Sequence, residues 1–141
     1  MLDPVLAAHL AATWALFGLI WVVQLAIYPQ YGRIEGRGFR RYHDSYTTGI
    51  TAVVGPLMAV ELLTGAWLLL SPAEADHRLL WAAGFGLIVF NWAHTGLIAV
   101  PLHGTLGVGF DERAHRRLVR TNWLRTVAWT LRGALVTAAV I

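Results

Sequence analysis

Four long apolar runs separated by short polar stretches organise the chain. The first covers about Pro4–Tyr28, and the second about Ser45–Leu70, with a start as early as Phe39 left open. The third is Leu79–Val100 and the fourth about Val119–Ile141. Each approaches the roughly 20 residues that a helix needs to cross a hydrocarbon core. Asp3 stands where an N-cap is expected and Pro4 at a first helical position, while Pro29, Ser71-Pro72 and Pro101 follow their runs as stop signals. Pro56 lies inside the second run, so a kink is expected where its ring removes a backbone hydrogen bond. Short connections make successive helices antiparallel. The expected fold is all-α: one integral membrane domain, residues 1–141, forming an antiparallel four-helix transmembrane bundle with a kinked second helix.

Composition points the same way. Of 141 residues 57% are hydrophobic and 13% charged, with mean hydropathy +0.56. A soluble domain carries about a quarter charged residues, so a disordered chain and a nucleic-acid-binding arm are excluded and no nucleic-acid partner is expected. With no Cys, disulfide scaffolds, CxxC chemistry and thiolate metal sites are excluded as well. All 11 basic residues are Arg, and their placement reads as topology. Arg33, Arg37, Arg40 and Arg41 lie between the first two runs, and Arg113, Arg116 and Arg117 between the last two. The connection Ser71–Arg78 sets one Arg against Glu74 and Asp76. The positive-inside rule then puts the first and third connections in the cytoplasm and both termini on the other side. Met1-Leu2-Asp3-Pro4 lacks the basic start of a cleaved signal peptide. Trp67, Trp81 and Tyr28 are expected as belt aromatics at the interfaces, and His77 and His115 as solvated loop residues.

Polar side chains inside the apolar runs carry the chemical information, because each costs a few kcal/mol in hydrocarbon unless it faces the bundle interior. They are His9 and Gln24; Glu61; Asn91 and His94; and Asn122, Arg125 and Arg132. His43 and His103 stand at the expected cytoplasmic ends. Converted to depth at ~1.5 Å per residue, His9, Glu61 and Arg132 share one tier, Asn91 and Trp129 lie near the midplane, and His94 and Arg125 lie deeper. Helix periodicity puts Asn122, Arg125, Thr126, Trp129 and Arg132 on one stripe, and Asn91, His94 and Thr95 on one face.

Several chemistries remain open to these groups. Glu61 and Arg132 are expected as a structural ion pair; Arg125 could alternatively snorkel to headgroups. Glu61 is the one acid inside a run, too few for a carboxylate-bridged di-iron site. A mononuclear iron or copper site on His9, Glu61 and His94 stays open, as does haem with axial ligands from His9, His43, His94 or His103. His9, His43 and Glu61 are the candidate cofactor-binding set. The same groups need no metal to move protons beside a lipophilic substrate, with Arg stabilising a developing anion. Gly55, Gly65, Gly84, Gly86 and Gly96 are expected as close-packing points.

The stretch Pro101-Leu102-His103-Gly104-Thr105-Leu106, followed by Leu118-Val119-Arg120-Thr121-Asn122-Trp123-Leu124-Arg125-Thr126, resembles the anthrone-oxygenase-like family of small four-helix membrane proteins. The N-terminal half is similar in outline, with a helix ending near Pro29, a linker carrying Phe39, and a helix carrying Pro56 and Met58. His103 stands where the family pattern commonly has Asn, and His9, His43 and Glu61 lie outside that pattern. The resemblance implies a multi-pass protein of a bacterial inner membrane. It also implies an oxygenase-type activity, with Asn122 and Arg125 the matched residues.

Two readings follow. In the first, the protein is an oxidoreductase acting on a lipophilic aromatic or quinone-like molecule between the helices, oriented by Arg125 and Asn122, with His94 or His103 as acid and base. In the second, it is a non-catalytic membrane subunit or assembly factor that meets partner helices, or a second copy of itself, through its Trp-rich surface.

Overall fold

The computed structural model describes residues 3–34, 36 and 38–141; Met1, Leu2 and the predicted loop residue Arg37 lie outside them. The described residues are helical almost throughout, without strands. The helices are α1 (Pro4–Val22), α2 (Gly38–Leu70), α3 (Arg78–His94), α4 (Val100–Val108) and α5 (Glu112–Ala138). Asp3 caps α1, its Oδ1 accepting from the Val5 and Leu6 amides at 2.7 and 3.3 Å. Asp111 caps α5 in the same way, accepting from the Ala114 amide at 2.7 Å. Each carboxylate satisfies donors that the first helical turn leaves unpaired.

The expected stop signals at Pro29 and Pro101 do not end their helices. Instead α1 continues through a π turn, Val23–Ile27, into the 3-10 turn Tyr28–Arg33, and α3 continues through a second π turn, Thr95–Ala99, into α4. In both places one residue separates the π turn from the proline. A proline ring in a regular helix collides with the carbonyl four residues back, here that of Leu25 or Leu97. The wider turn relieves that collision and lets the rod run on. One other boundary moves: α5 begins at Glu112, well before its apolar run, while α2 begins at Gly38, next to the early start at Phe39.

Four rods result: α1 with its extension, α2, α3 with α4, and α5. Among the described residues three of them, Pro4–Arg33, Gly38–Leu70 and Arg78–Val108, are long and apolar enough to cross a membrane. The fourth, α5, has 27 residues, but its Arg, Asn and Thr side chains keep it below that standard. Length and composition alone therefore carry three crossings, not the expected four.

The rods α1 and α3 each pack on both α2 and α5, so the four close a square. Burial inside it is inverted relative to a soluble bundle. His9, Gln24, His43, Glu61, Asn91, His94, Asn122, Arg125 and Arg132 are all buried, whereas Leu25, Leu63, Trp67, Leu97 and Val100 are exposed. Apolar layers bracket the polar groups. Leu68, Trp81 and Val136 close one end, Leu16, Ile20, Met58 and Trp129 fill the middle, and Tyr28, Tyr31, Phe39, Leu106 and Leu118 fill the other end. Trp81 and Tyr28 are thus core residues and not belt aromatics: Trp81 donates to Glu74 at 3.0 Å and both rings are buried. Trp67 is the one of the three that faces outward.

Gly65 sets the closest approach of α2 to its neighbours. A Cβ there would fall 2.7 Å from Ile88 Cδ1 and 3.1 Å from His9 Cε1, whereas one at Gly49 would meet open space. We expect Gly65→Ala to cost about 1–3 kcal/mol through overpacking. Gly49→Ala, on the same helix, should be neutral or slightly stabilising, and unfolding in detergent micelles checks both.

Candidate functional site

Two polar tiers lie inside the square. In the first, Glu61 of α2 and Arg132 of α5 meet across its diagonal, Arg132 Nε lying 3.4 Å from Glu61 Oε1. The same carboxylate oxygen accepts from Thr13 at 3.0 Å, and Oε2 accepts from the Trp129 indole N–H at 3.2 Å. Arg132 also donates to His9 Nε2. The His9 tautomer follows from its other nitrogen. The Thr64 hydroxyl donates to the Val60 carbonyl at 2.6 Å, so it accepts from His9 Nδ1–H at 2.7 Å. Nε2 then carries the lone pair that Arg132 uses. Gly84 makes room for the guanidinium, since a Cβ at that position would collide with it. This tier is closed: every polar atom of His9 and Glu61 has a protein partner.

The second tier is open. Gln24, on the first π turn, donates to the Val119 carbonyl at 3.3 Å and accepts from Asn122 at 2.8 Å. Asn122 in turn accepts from Arg125 at 3.1 Å. The Arg125 guanidinium lies over the Trp129 ring, 5.1 Å from its centroid, and is 6% exposed, so it does not snorkel. Among the described residues no carboxylate lies within ion-pairing distance of Arg125, and its Nε has no hydrogen-bond partner. Beside it, Tyr28 OH lies 3.0 Å from His103 Nε2, and His103 Nδ1 lies 3.1 Å from His43 Nε2.

A cavity of about 220 Å3 runs between the tiers. Its walls are apolar, including Leu16, Ile20, Val54 and Met58, and Trp129 forms one side. Its polar groups include Tyr28, Tyr46, His103 and Arg125. The rim includes Thr51, Trp92 and Val100, which are exposed on the outer surface of α2, α3 and α4. An engineered cavity of about 150 Å3 holds a benzene molecule, so this one suits a head of one or two fused rings.

The expected site residues therefore separate. Arg125 and His103 line the cavity, and Asn122 holds Arg125 from behind. His43, near the start of α2, is buried and reaches the cavity only through His103. His94 is buried on α3, with neither ring nitrogen hydrogen-bonded, and does not line the cavity. The set His9, Glu61 and His94 does not converge: among the described residues no three His, Asp or Glu side chains form a metal-holding group. His9 and Glu61 spend their lone pairs on Arg132, Thr13 and Trp129. Among the described residues no third His, Asp or Glu side chain joins His43 and His103 to complete such a group. His115 sits on α5, partly buried, with Nε2 2.8 Å from the Tyr28 carbonyl. It is not a solvated loop residue.

Sequence reasoning missed Thr13, Thr64, Tyr28 and Tyr46. Thr13 lies four residues after His9 and Thr64 three after Glu61, and that spacing was the available signal. No protein-family model, curated protein or solved structure matches this chain.

The closed tier makes a specific demand on stability. Glu61→Gln and Arg132→Met should each cost about 3–5 kcal/mol, because each leaves a buried charge without its partner. The double variant should cost clearly less than the sum of the two. Unfolding of the four proteins in one detergent measures that coupling.

Proposed function

We propose that the chain is a multi-pass membrane protein that takes a lipophilic aromatic or quinone-like molecule from the bilayer into the cavity beside Arg125, as a membrane oxidoreductase would. The observation that carries this reading is the cavity itself: apolar walls, an outward-facing rim, and one polar group of Tyr28, His103 and Arg125. A phenol or quinone oxygen placed there meets a fixed cation and a phenol–imidazole pair. Arg125 favours the oxyanion form of such a molecule, and His103 with Tyr28 can give or take its proton. The two-electron interconversion of a quinone and its hydroquinone includes such a proton transfer, whichever group takes or gives the electrons. The outline resemblance to anthrone-oxygenase-like proteins favours the same substrate class.

The membrane arrangement we infer is four antiparallel crossings. Contacts support it: near its start α1 meets the end of α2 and of α5 through His9, Thr64 and Arg132, while its far end meets the beginning of α5 through Tyr28 and His115. The outward face of α5 carries Trp123, Leu124, Val127 and Leu131, all exposed. Its charges at Arg125 and Arg132 are turned inward, which reconciles a polar composition with a lipid-facing surface. Pro56 leaves the Ala52 carbonyl without a helical donor, and a bend of α2 there would widen the rim beside Gly55. The arginine-rich connections belong in the cytoplasm on this reading.

Topology can be tested directly because the chain has no Cys. A thiol probe that cannot cross membranes should label Ala73→Cys in intact cells, and Gln30→Cys and Glu112→Cys only after permeabilisation.

Ligand binding is tested with menadione and tryptophan fluorescence. Saturable quenching is expected in the wild-type protein. Gly55→Leu should abolish it by filling the cavity, since a Cβ at Gly55 meets no neighbour and the fold tolerates it. Arg125→Gln should weaken binding of the reduced, hydroxyl-bearing form by about 1.5–3 kcal/mol, or roughly 10- to 100-fold in Kd. Quenching that Gly55→Leu leaves unchanged would remove the cavity from the proposal.

A further inference from the structure

The hydrogen-bonded series at the polar end of the cavity does not stop at His103. It reaches His43, and 3.6 Å beyond His43 Nδ1, past hydrogen-bond length, lies Oδ1 of Asp44, whose side chain is 63% exposed. We propose that Tyr28, His103, His43 and Asp44 form a proton relay linking the polar end of the cavity to the aqueous face at the start of α2. This rests on the cavity being the ligand site, and it adds the route by which a proton enters or leaves.

Geometry carries the argument. The two inner links, 3.0 Å from Tyr28 OH to His103 Nε2 and 3.1 Å from His103 Nδ1 to His43 Nε2, are hydrogen-bond distances. Each imidazole uses its two nitrogens on opposite sides of the series, as a relay requires. Tyr28 and His103 line the cavity, while Tyr28 and His43 are each no more than 3% exposed. The outer nitrogen of the series, His43 Nδ1, has no hydrogen-bond partner. Gly107 lies against that nitrogen, and a Cβ there would sit 3.9 Å from it and 4.0 Å from Asp44 Oδ1, so a side chain at this position would crowd the gap between the two. The groups around the series are chiefly aromatic: Tyr31 stands edge-on to both His43 and His103, and Phe39 stacks on His43. Arg125 and Tyr46 face the cavity end and His115 backs Tyr31.

The transfer balances as a single shift. A proton leaving a bound phenol joins the Tyr28 oxygen, and the Tyr28 hydroxyl proton passes to His103 Nε2. The His103 Nδ1 proton passes to His43 Nε2, and the His43 Nδ1 proton crosses the 3.6 Å gap beside the Asp44 carboxylate by way of a water molecule. One O–H bond is broken in the ligand and one is formed outside; no residue changes its net charge and no electron moves. The reverse order delivers a proton inward.

The test uses the full chain in detergent and, as probe, a nitrophenol bearing a short alkyl tail, whose ionisation is visible by absorbance. After a stopped-flow pH jump, ionisation of the bound probe should follow the bulk quickly in the wild-type protein. His43→Phe, which keeps an aromatic ring but no nitrogen, should slow it by about 100-fold or more with unchanged probe affinity. Gly107→Leu, which covers the outer nitrogen from outside the series, should slow it in the same way. Either folded variant responding as fast as wild type overturns the relay. Failure of the wild-type protein to bind the probe counts against the ligand site instead. The relay then faces a ligand-free measurement: Tyr28→Phe should shift the imidazole nitrogen resonances of His103 and also of His43 in a histidine-labelled sample. A response confined to His103 overturns it.

Discussion

A charge in hydrocarbon must find its partner inside the protein, and in this chain the partner of Glu61 lies across the whole section of the molecule. The Glu61–Arg132 pair joins α2 to α5 along the diagonal of the square, the direction in which helix packing alone makes least contact. His9 and Thr13 tie α1 into the same knot, and Trp129 supplies the last donor. Apolar packing is a poor arbiter of register between helices in lipid, because the tails outside are as apolar as the side chains inside. A guanidinium that must reach one carboxylate and one imidazole fixes rotation and register together. The rest of the arrangement, cavity included, depends on that fixation.

The two tiers use the same residue types to opposite ends. Around Glu61 and His9 the polar atoms are consumed by protein partners, which makes that tier rigid and chemically quiet. Around Arg125 they are not. Its Nε lacks a partner, no acid lies within ion-pairing range among the described residues, and an apolar cavity begins where its guanidinium ends. Trp129 is the hinge between them, giving its N–H to Glu61 and its ring face to Arg125. A buried cation held in place by Asn122 and Gln24, yet left without an anion, is unfavourable for the empty protein and favourable for one that receives an oxyanion there.

Much of this was legible in the residues alone. The polar set His9, Glu61, Arg125, Arg132 and Asn122 stands out because hydrocarbon penalises each member, and the rise per residue was enough to group His9, Glu61 and Arg132. The partners were less legible. Thr13 and Thr64 are unremarkable in any membrane helix, and only the closeness of three rods shows why they are there. The cavity was not legible at all, since it is made by what Gly55, Ile20 and Val54 fail to fill. Assigning His94 beside His9 and Glu61 failed because membership of a polar set does not specify which face of α3 turns towards which neighbour.

The misreading of Tyr28 and the placement of His103 have a common physical cause, and it explains why the open tier lies where it does. At about 100° per residue, Tyr28 would sit roughly 100° away from the face that carries His9. His103 would likewise sit roughly 120° away from the face that carries Asn91. A regular helix would therefore aim both out of the interior, as an interfacial aromatic at the end of its run would point. Each rod contains one π turn between the two positions, Val23–Ile27 in the first and Thr95–Ala99 in the third. One inserted residue takes back about 100°, and both side chains return to the interior face, within reach of each other. Pro29 and Pro101 stand just beyond these turns, where a regular helix would have to resolve a clash with Leu25 or Leu97 in any case. The prolines that look like helix ends in the sequence are thus markers of the wide turns that carry Tyr28 and His103 into the cavity.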